Sequence, residues 1–140
     1  HLVPIIAIDE AIVTESEGDH VHWVVNQVIE SLEGISAPDV VKLVLAYEPT
    51  AAIGSGQAMT PELAQFSLRR IRLTLADMYG WEIANQVRIM YGGSVKPTNA
   101  FELMRQPDID GVLVGDAALD PNTFVELVQL ARQATRSKAN

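Results

Sequence analysis

The stretch VVKLVLAYEP, Val40–Pro49, predicts the fold class of this chain. Up to Tyr47 it is a short, mostly apolar and β-branched run, as expected for a strand covered on both faces. A loop of small residues follows, and a helix begins after the hydroxyl of Thr60. Pro61 and an acid in the first turn support that start, and the helix is predicted to continue to about Tyr79. A buried strand followed by an amphipathic helix is the repeating unit of α/β proteins.

The same unit recurs along the chain on both sides of this stretch. Further strands are predicted at 3–8, 87–91 and 111–114, and further helices at 19–32, 98–105 and 120–132. The order βαβαβαβα predicts parallel strands joined by right-handed crossovers. The polar tail 137–140 is expected to fray.

Composition and charge exclude several classes of function. The chain has 140 residues, a net charge of −8 and no cysteine. Disulfides and thiolate metal sites are therefore excluded, and a nucleic-acid partner is not expected. No apolar run approaches the roughly 18 residues of a membrane span, so no membrane contact is expected. No secretory signal stands at the start, and we expect a cytoplasmic location with no metal site.

Functional side chains of parallel α/β folds gather at the carboxyl ends of the strands. The first strand leads to Asp9 and Glu10, for which a structural role as caps or ion-pair partners is favoured. The second ends at Glu48, where partial removal from water suits a general base. The alternative for Glu48 is a surface carboxylate before a turn.

Glycine-bearing turns follow the last three strands. Residues 53–56, Ile-Gly-Ser-Gly, suit a loop that closes over a ligand. Residues 92–94, Gly-Gly-Ser, and Gly115 with Asp116 are typical of turns that hold phosphate, without the lysine of a P-loop. Each taken alone is equally compatible with a tight turn. Together with Glu48 they indicate proton abstraction beside a carbonyl in a small phosphate ester.

In this order, the motifs resemble the carboxyl-terminal half of the triosephosphate isomerase family. The segments that carry the resemblance are 4–10 (PIIAIDE), 46–56 (AYEPTAAIGSG), 91–97 (YGGSVKP) and 108–119 (DIDGVLVGDAAL). The resemblance implies a parallel (β/α)8 barrel, of which this chain covers about the last four βα units. Residues 1–140 would then be the carboxyl-terminal half of a single barrel domain.

The resemblance also implies a role for individual residues. Glu48 is the base that moves a proton between adjacent carbons through an enediolate. The phosphate-binding positions are Gly54, Ser94, Gly115 and Asp116. The lid and the apolar cover of the base comprise Ile53, Ser55, Gly56, Tyr91 and Leu113.

The implied activity is aldose–ketose isomerisation of a small sugar phosphate, an intramolecular oxidoreduction of glycolysis and gluconeogenesis. The triose pair is glyceraldehyde 3-phosphate and dihydroxyacetone phosphate. No cofactor is implied, because hydrogen-bond donors can stabilise the enediolate. The resemblance further implies a homodimer. The lysine, histidine and asparagine of the family's first half have no match here, so the 140-residue chain alone is expected to be inactive and to belong to a longer barrel.

Departures of this sequence from the family pattern support alternative functions. Ala51 stands where the family usually has an aromatic residue, and Asp116 stands where it usually has glycine. A divergent lid would suit an isomerase of a tetrulose phosphate such as erythrulose phosphate. Two further alternatives are a half-barrel that dimerises and a non-catalytic phosphate-binding or interaction module.

Overall fold

A parallel sheet with helices on one side forms the framework of the protein. The computed structural model describes residues 2–10, 17–49 and 59–138. The strands are β1 (Ile5–Asp9), β2 (Val44–Glu48), β3 (Arg88–Tyr91) and β4 (Gly111–Val112). The helices are α1 (Glu17–Ser31), α2 (Ala37–Val40), α3 (Pro61–Tyr79), α4 (Trp81–Ala84), α5 (Pro97–Met104) and α6 (Pro121–Lys138), with a 3₁₀ turn at Asp116–Ala118 before α6.

The four strands lie in sequence order, β1-β2-β3-β4, and every pair is parallel. Ala7, Ala46, Met90 and Gly111 stand side by side across the sheet. The predicted parallel α/β architecture is therefore confirmed. Because all strands run the same way, their carboxyl ends share one edge of the sheet, and the candidate site residues follow that edge.

The hydrophobic core lies between the sheet and the helices. Five strand side chains on the helix side are fully buried: Ile8, Leu45, Tyr47, Ile89 and Tyr91. The helices bury apolar residues at helical spacing against them: Val24 and Val28 from α1, with Leu32 just after it, Ala64, Leu68, Ile71 and Leu75 from α3, and Ala100 and Leu103 from α5. Burial of this kind contributes about 25 cal/mol for each Å² of apolar surface removed from water.

The opposite face of the sheet is partly open. Ile5, which points away from the helices, is 55% exposed, and Val3 before it is 66% exposed. In the part of the chain that the structure describes, β1 is therefore covered on one face only. Ile5 and Ala7 alternate with Ile6 and Ile8, and the described helices pack only on the side of Ile8.

Several predicted boundaries shift for local reasons. The second strand begins at Val44 rather than at Val40, because the amide of Val40 donates to the carbonyl of Ser36, 2.9 Å away, in the short helix α2. Helix α3, in contrast, ends at Tyr79 as predicted, and Gly80 caps it with a φ of 84° that a residue with a side chain rarely adopts. Helix α6 continues to Lys138 instead of ending near residue 132.

A buried arginine ties α3 to β3 and β4. The Arg72 guanidinium is 4% exposed and donates to the carbonyls of Ala84 and Val87 at 2.7 and 2.5 Å. It also lies 3.4 Å from the Asp108 carboxylate and 2.7 Å from that of Asp110. These partners balance the charge that α3 buries beneath the sheet.

Candidate active site

Glu48 is the last residue of β2 and stands half-buried at the carboxyl edge of the sheet. Its register partner on β1 is Asp9, and its carbonyl accepts a hydrogen bond from the amide of Glu10 at 3.2 Å. On the other side, the amide of Gly92 donates to the Tyr47 carbonyl at 2.7 Å. The backbone of Glu48 is thus held from both neighbouring strands.

Gly92 leaves room for the Glu48 side chain. A β-carbon on Gly92 would lie 2.9 Å from Cγ of Glu48 and 3.2 Å from the Tyr47 carbonyl oxygen. Real β-carbons essentially never approach another atom that closely. The absence of a side chain at position 92 therefore decides where the carboxylate of Glu48 can stand.

Gly93 has a different neighbour. A β-carbon there would collide with the ring of Tyr91, with Cε1 at 2.8 Å. The paired glycines of the predicted phosphate turn thus have separate steric roles. Gly92 accommodates the candidate base, and Gly93 accommodates the Tyr91 ring.

Two buried tyrosines lie beneath the edge and hold the residue that follows the predicted lid. Their ring centroids are 6.4 Å apart. The Tyr91 hydroxyl accepts a hydrogen bond from the amide of Met59 at 3.4 Å, and the Tyr47 hydroxyl lies 3.8 Å from the Met59 sulfur. Tyr47 also donates to the carboxylate of Glu10.

Burial keeps both phenols protonated. Burial, followed by the hydrogen bond to Glu10, raises the pKa of Tyr47 well above its usual value. Burial also raises the pKa of Tyr91, against the opposing effect of the Met59 amide. Both hydroxyls therefore stay neutral at physiological pH. The Tyr91 hydroxyl accepts the hydrogen bond from the Met59 amide, whereas the Tyr47 hydroxyl donates its proton to Glu10 and only contacts the Met59 sulfur.

The turn after β3 positions Ser94 ahead of α5. The Ser94 carbonyl accepts a hydrogen bond from the side-chain amide of Asn99 at 3.0 Å. The other end of that side chain accepts from the amide of Lys96 at 2.8 Å. Asn99 thereby fastens the turn to the first turn of the helix, with Ser94 half-buried.

The turn after β4 is more open. Leu113 is 36% exposed, and its amide donates to the Tyr91 carbonyl at 2.9 Å. Gly115 and Asp116 are exposed, and the Gly115 carbonyl accepts from the amide of Ala118 at 2.9 Å in the 3₁₀ turn. The Gly115 and Asp116 amides stand at the start of that turn, where first-turn amides lack partners within the helix.

Of the candidate residues, the structure describes Glu48, Tyr91, Ser94, Leu113, Gly115 and Asp116, all of them at or just after the carboxyl ends of β2, β3 and β4. Ile53, Gly54, Ser55 and Gly56 lie outside the described residues. The carboxylate of Asp9 accepts hydrogen bonds from the side chains of Trp23 at 3.4 Å and Gln27 at 3.5 Å, and Gln27 also bonds the backbone amide and carbonyl of Asp9 at 3.1 and 2.6 Å.

Sequence reasoning missed the pairing of Tyr47 with Glu10 and the role of Met59. A signal for Tyr47 exists, because a residue next to Glu48 in a strand must point to the opposite, helix-covered face. A polar hydroxyl on that face needs a partner. The identity of that partner depends on the register between β1 and β2, which one strand alone does not reveal.

In residues 2–10, 17–49 and 59–138, no group of three or more histidine or acidic side chains is arranged to hold a metal ion. Over the same ranges, no helix is both long and apolar enough to cross a membrane.

A family model and several curated proteins match this chain. The family model described as triosephosphate isomerase matches residues 1–131. The chain is 48% identical over 127 residues to a triosephosphate isomerase of Lactobacillus gasseri and 47% identical over 127 residues to that of Lactobacillus helveticus. Each match covers 91% of this chain, and 51% and 50% of those relatives. The chain therefore spans about half the length of the curated relatives it matches.

Proposed function

The chain belongs to the triosephosphate isomerase family, and from that premise we propose that it supplies the base and the phosphate grip of a sugar-phosphate isomerase. The observation that carries the proposal is the placement of Glu48. Its carboxylate is half-buried at the carboxyl edge of a parallel sheet, beside a glycine whose missing side chain makes room for it. Polar, glycine-bearing turns follow the next two strands at the same edge.

Glu48 acts as the proton carrier in this proposal. Its carboxylate removes a proton from the carbon beside the carbonyl of an aldose or ketose phosphate, and the C–H electron pair forms the enediolate double bond. The protonated carboxyl then returns the proton to the neighbouring carbon, while the hydroxyl proton moves from one oxygen of the enediolate to the other, so the carbonyl is regenerated one position away. The carboxylate ends the cycle unchanged, so no net oxidant or reductant is consumed.

Ser94 and Gly115 hold the phosphate in this proposal, with the amide of Asp116 and with Gly54. Ser94 offers a hydroxyl donor, and its turn is braced by Asn99 at 3.0 Å. Gly115 and Asp116 begin a 3₁₀ turn and offer backbone amides. Amides and hydroxyls of this kind bind a phosphate dianion without requiring a cation.

The lid residues Ile53, Ser55 and Gly56 complete the proposal, together with Leu113 as apolar cover and Tyr91 as latch. Support comes from Met59, the first described residue after the lid segment, whose amide bonds the Tyr91 hydroxyl at 3.4 Å. Excluding water over Glu48 strengthens electrostatic interactions inside the site. The whole protein acts as a cytoplasmic homodimer in this proposal, and the 140-residue chain does not turn over alone.

The decisive experiment replaces Glu48 in a complete barrel. The amino-terminal half of the Lactobacillus gasseri relative is joined to this chain, and turnover of glyceraldehyde 3-phosphate is measured. Glu48→Gln is expected to lower kcat by about 10²–10⁴-fold, the usual contribution of a general base. The matched control is Asp9→Asn, which neutralises the register partner of Glu48 on β1 and leaves the base in place.

Two results would count against the proposal. Full activity of Glu48→Gln would remove the base assignment. A folded parent barrel that binds a phosphate ester but turns over no sugar phosphate would support a non-catalytic phosphate-binding module instead. The separate 140-residue chain is assayed in parallel, and turnover by it would overturn the proposed dependence on another half.

One observation favours a second substrate. Asp116 is exposed in the turn where the proposed phosphate amides lie, and its carboxylate repels a dianion. A phosphate held less tightly there would suit a substrate with more contacts elsewhere, such as a tetrulose phosphate. A panel of triose and tetrulose phosphates assayed on the completed barrel distinguishes the two by their ratio of kcat/KM.

A further inference from the structure

Helix α3 presents an outer face that its own chain leaves uncovered. The helix lies between α1 and α5, and its inward residues, such as Leu68 and Ile71, are fully buried. Because helices of this chain flank α3 on both sides, its outer face points away from the sheet. This face is therefore distinct from the open side of the sheet and from the strand edges.

The outer face of α3 comprises Glu62, Leu63, Phe66, Arg69, Arg70 and Leu73. Phe66 is 50% exposed and Leu63 is 55% exposed, although both are large apolar side chains. A shallow groove of 430 Å³ runs along this face, lined by Gln65 and by all of these residues except Leu63. Exposed apolar surface beside a groove is typical of a contact site for another protein.

Charges on this face are separated along the helix. Glu62 and Arg70 stand four residues before and four residues after Phe66, so all three share one side of the helix. The two charges are about 12 Å apart along the axis, too far to pair with each other. Among the residues that the structure describes, neither Glu62 nor Arg70 forms an ion pair.

Arg69 differs from Arg70 in this respect. Its guanidinium lies 3.6 Å from the carboxylate of Asp108 and 5.2 Å from the centre of the Trp81 ring. Arg70 has only an aromatic neighbour, with its guanidinium 5.0 Å from the centre of the Phe66 ring. The unsatisfied charges of the face are therefore one acid and one base, placed symmetrically about an exposed aromatic ring.

That arrangement complements itself under two-fold rotation. If two α3 helices cross antiparallel with Phe66 on the axis, each residue faces the one equally far from Phe66 in the other direction. Glu62 of one copy then faces Arg70 of the second copy, and the same pair forms again on the other side of the axis. A two-fold interface requires such self-complementarity of a single patch.

We propose that two copies of this chain associate through the outer faces of their α3 helices, with Phe66 on the two-fold axis and two reciprocal Glu62–Arg70 ion pairs. The charge pattern favours a second copy, because an acidic partner segment would leave Glu62 opposed by like charge. Standard stable interfaces bury roughly 1,200–2,000 Å², and one pair of helices buries less than that. The association is therefore weak and reversible.

Charge-reversed variants test the proposal. Sedimentation of the 140-residue chain is measured at concentrations from about 1 µM to 1 mM, a range that resolves weak association. The parent is expected to associate, less so at high salt because exposed ion pairs are screened. E62R and R70E, each of which opposes like charges at two places, are expected to weaken association by about tenfold. An equimolar mixture of E62R and R70E is expected to recover it, because each like-charge pair becomes an opposite pair.

Controls separate this contact from a general effect of charge. The single reversals E102R and R105E, which change the net charge as E62R and R70E do, alter an exposed ion pair at the carboxyl end of α5, 3.3 Å apart, and each is expected to leave association unchanged. Circular dichroism and urea unfolding of each variant verify that the fold is retained. The proposal is overturned by a parent that does not associate, by single reversals without effect, or by a mixture that fails to associate although both variants are folded.

Discussion

Gly92 and Glu48 are coupled across two strands: a β-carbon on the glycine would stand 2.9 Å from Cγ of the glutamate. The amide of Gly92 also donates to the carbonyl of Tyr47, one residue before Glu48, at 2.7 Å. The backbone of β3 is thus fixed against β2 at the point where the side chain must pass. A side chain on residue 92 can be accommodated only if Glu48 moves.

We therefore expect Gly92→Ala to impair catalysis more than stability. In the completed barrel, kcat is expected to fall by about 10²-fold, since a displacement of about 1 Å of a catalytic group has that effect. Gly111→Ala is the matched control, because its added β-carbon would make an ordinary contact of 3.8 Å with Met90. Equal losses in the two variants would show that Gly92 has no special relation to Glu48.

Replacement of Arg72 by methionine is expected to destabilise the fold severely. Arg72→Met leaves the Asp108 carboxylate, 5% exposed, without its buried cation and removes the donors to two carbonyls. Breaking a buried pair in this way costs about 3–5 kcal/mol of unfolding free energy. Urea denaturation of the 140-residue chain measures the loss of unfolding free energy.

The control for Arg72 is Arg105→Met. Arg105 lies 3.3 Å from Glu102 in an exposed pair, 50% and 52% exposed, so its loss is expected to change stability by about 1 kcal/mol or less. A loss of similar size for both variants would contradict the structural role of the buried cluster.

Alkaline pH is expected to destabilise the protein through its tyrosines. Burial, followed by the hydrogen bond to Glu10, raises the pKa of Tyr47 in the folded state, whereas an unfolded tyrosine has a pKa of about 10. Stability from this shift is fully present below about pH 10. It is lost as pH rises further, because only the unfolded phenol then releases its proton.

Tyr47→Phe isolates this effect. The parent's unfolding free energy is expected to fall more steeply above pH 10 than that of Tyr47→Phe, by up to about 1.4 kcal/mol per pH unit. Urea titrations at several pH values between about 9 and 11 measure both slopes. Identical slopes for parent and variant would show that Tyr47 ionises equally in both states.

Removal of the Asp116 charge is expected to tighten phosphate binding. Asp116→Gly and Asp116→Asn both take away a carboxylate exposed at the turn, and the dissociation constant for a phosphate ester is expected to fall by about three- to tenfold. Asp39→Asn, which removes an exposed carboxylate 2.7 Å from Lys42, is the control for net charge. Calorimetric titration of the completed barrel measures the dissociation constant for all three variants. Weaker binding after Asp116→Gly would show that the Asp116 carboxylate does not repel the phosphate.

Local sequence signals predict a helix or strand well when all the residues that begin, form and end it lie within that element. Thr60 and Pro61 begin α3, Gly80 ends it, and the apolar runs become parallel strands in chain order. Local competition explains the failure at Val40, whose β-branched side chain suits a strand although the residue ends a helical turn that begins after Ser36. The end of α6 depends on a distant contact, since Lys138 donates to the Ile109 carbonyl at 2.6 Å.

The candidate site likewise combines residues that the sequence predicts with contacts that it does not. Glu48 is predictable because a carboxylate directly after a buried strand marks the functional edge of the sheet. The relation of Glu48 to Gly92 depends on register between strands, and that of Arg72 to Asp110 joins residues on different elements. Such pairings form only when the chain is folded, so periodicity and composition carry no record of them.

Tyr91 binds three parts of the site at once. Its hydroxyl holds the amide of Met59, its carbonyl holds Leu113 on the way to the last turn, and its ring occupies the space that a side chain on Gly93 would need. The bonds to positions 59 and 113 go to backbone amides and accept any side chain other than proline there, whereas positions 91 and 93 are not free to diverge independently. A side chain can replace the glycine only after a smaller residue replaces the tyrosine, so evolutionary change at this pair must proceed in that order.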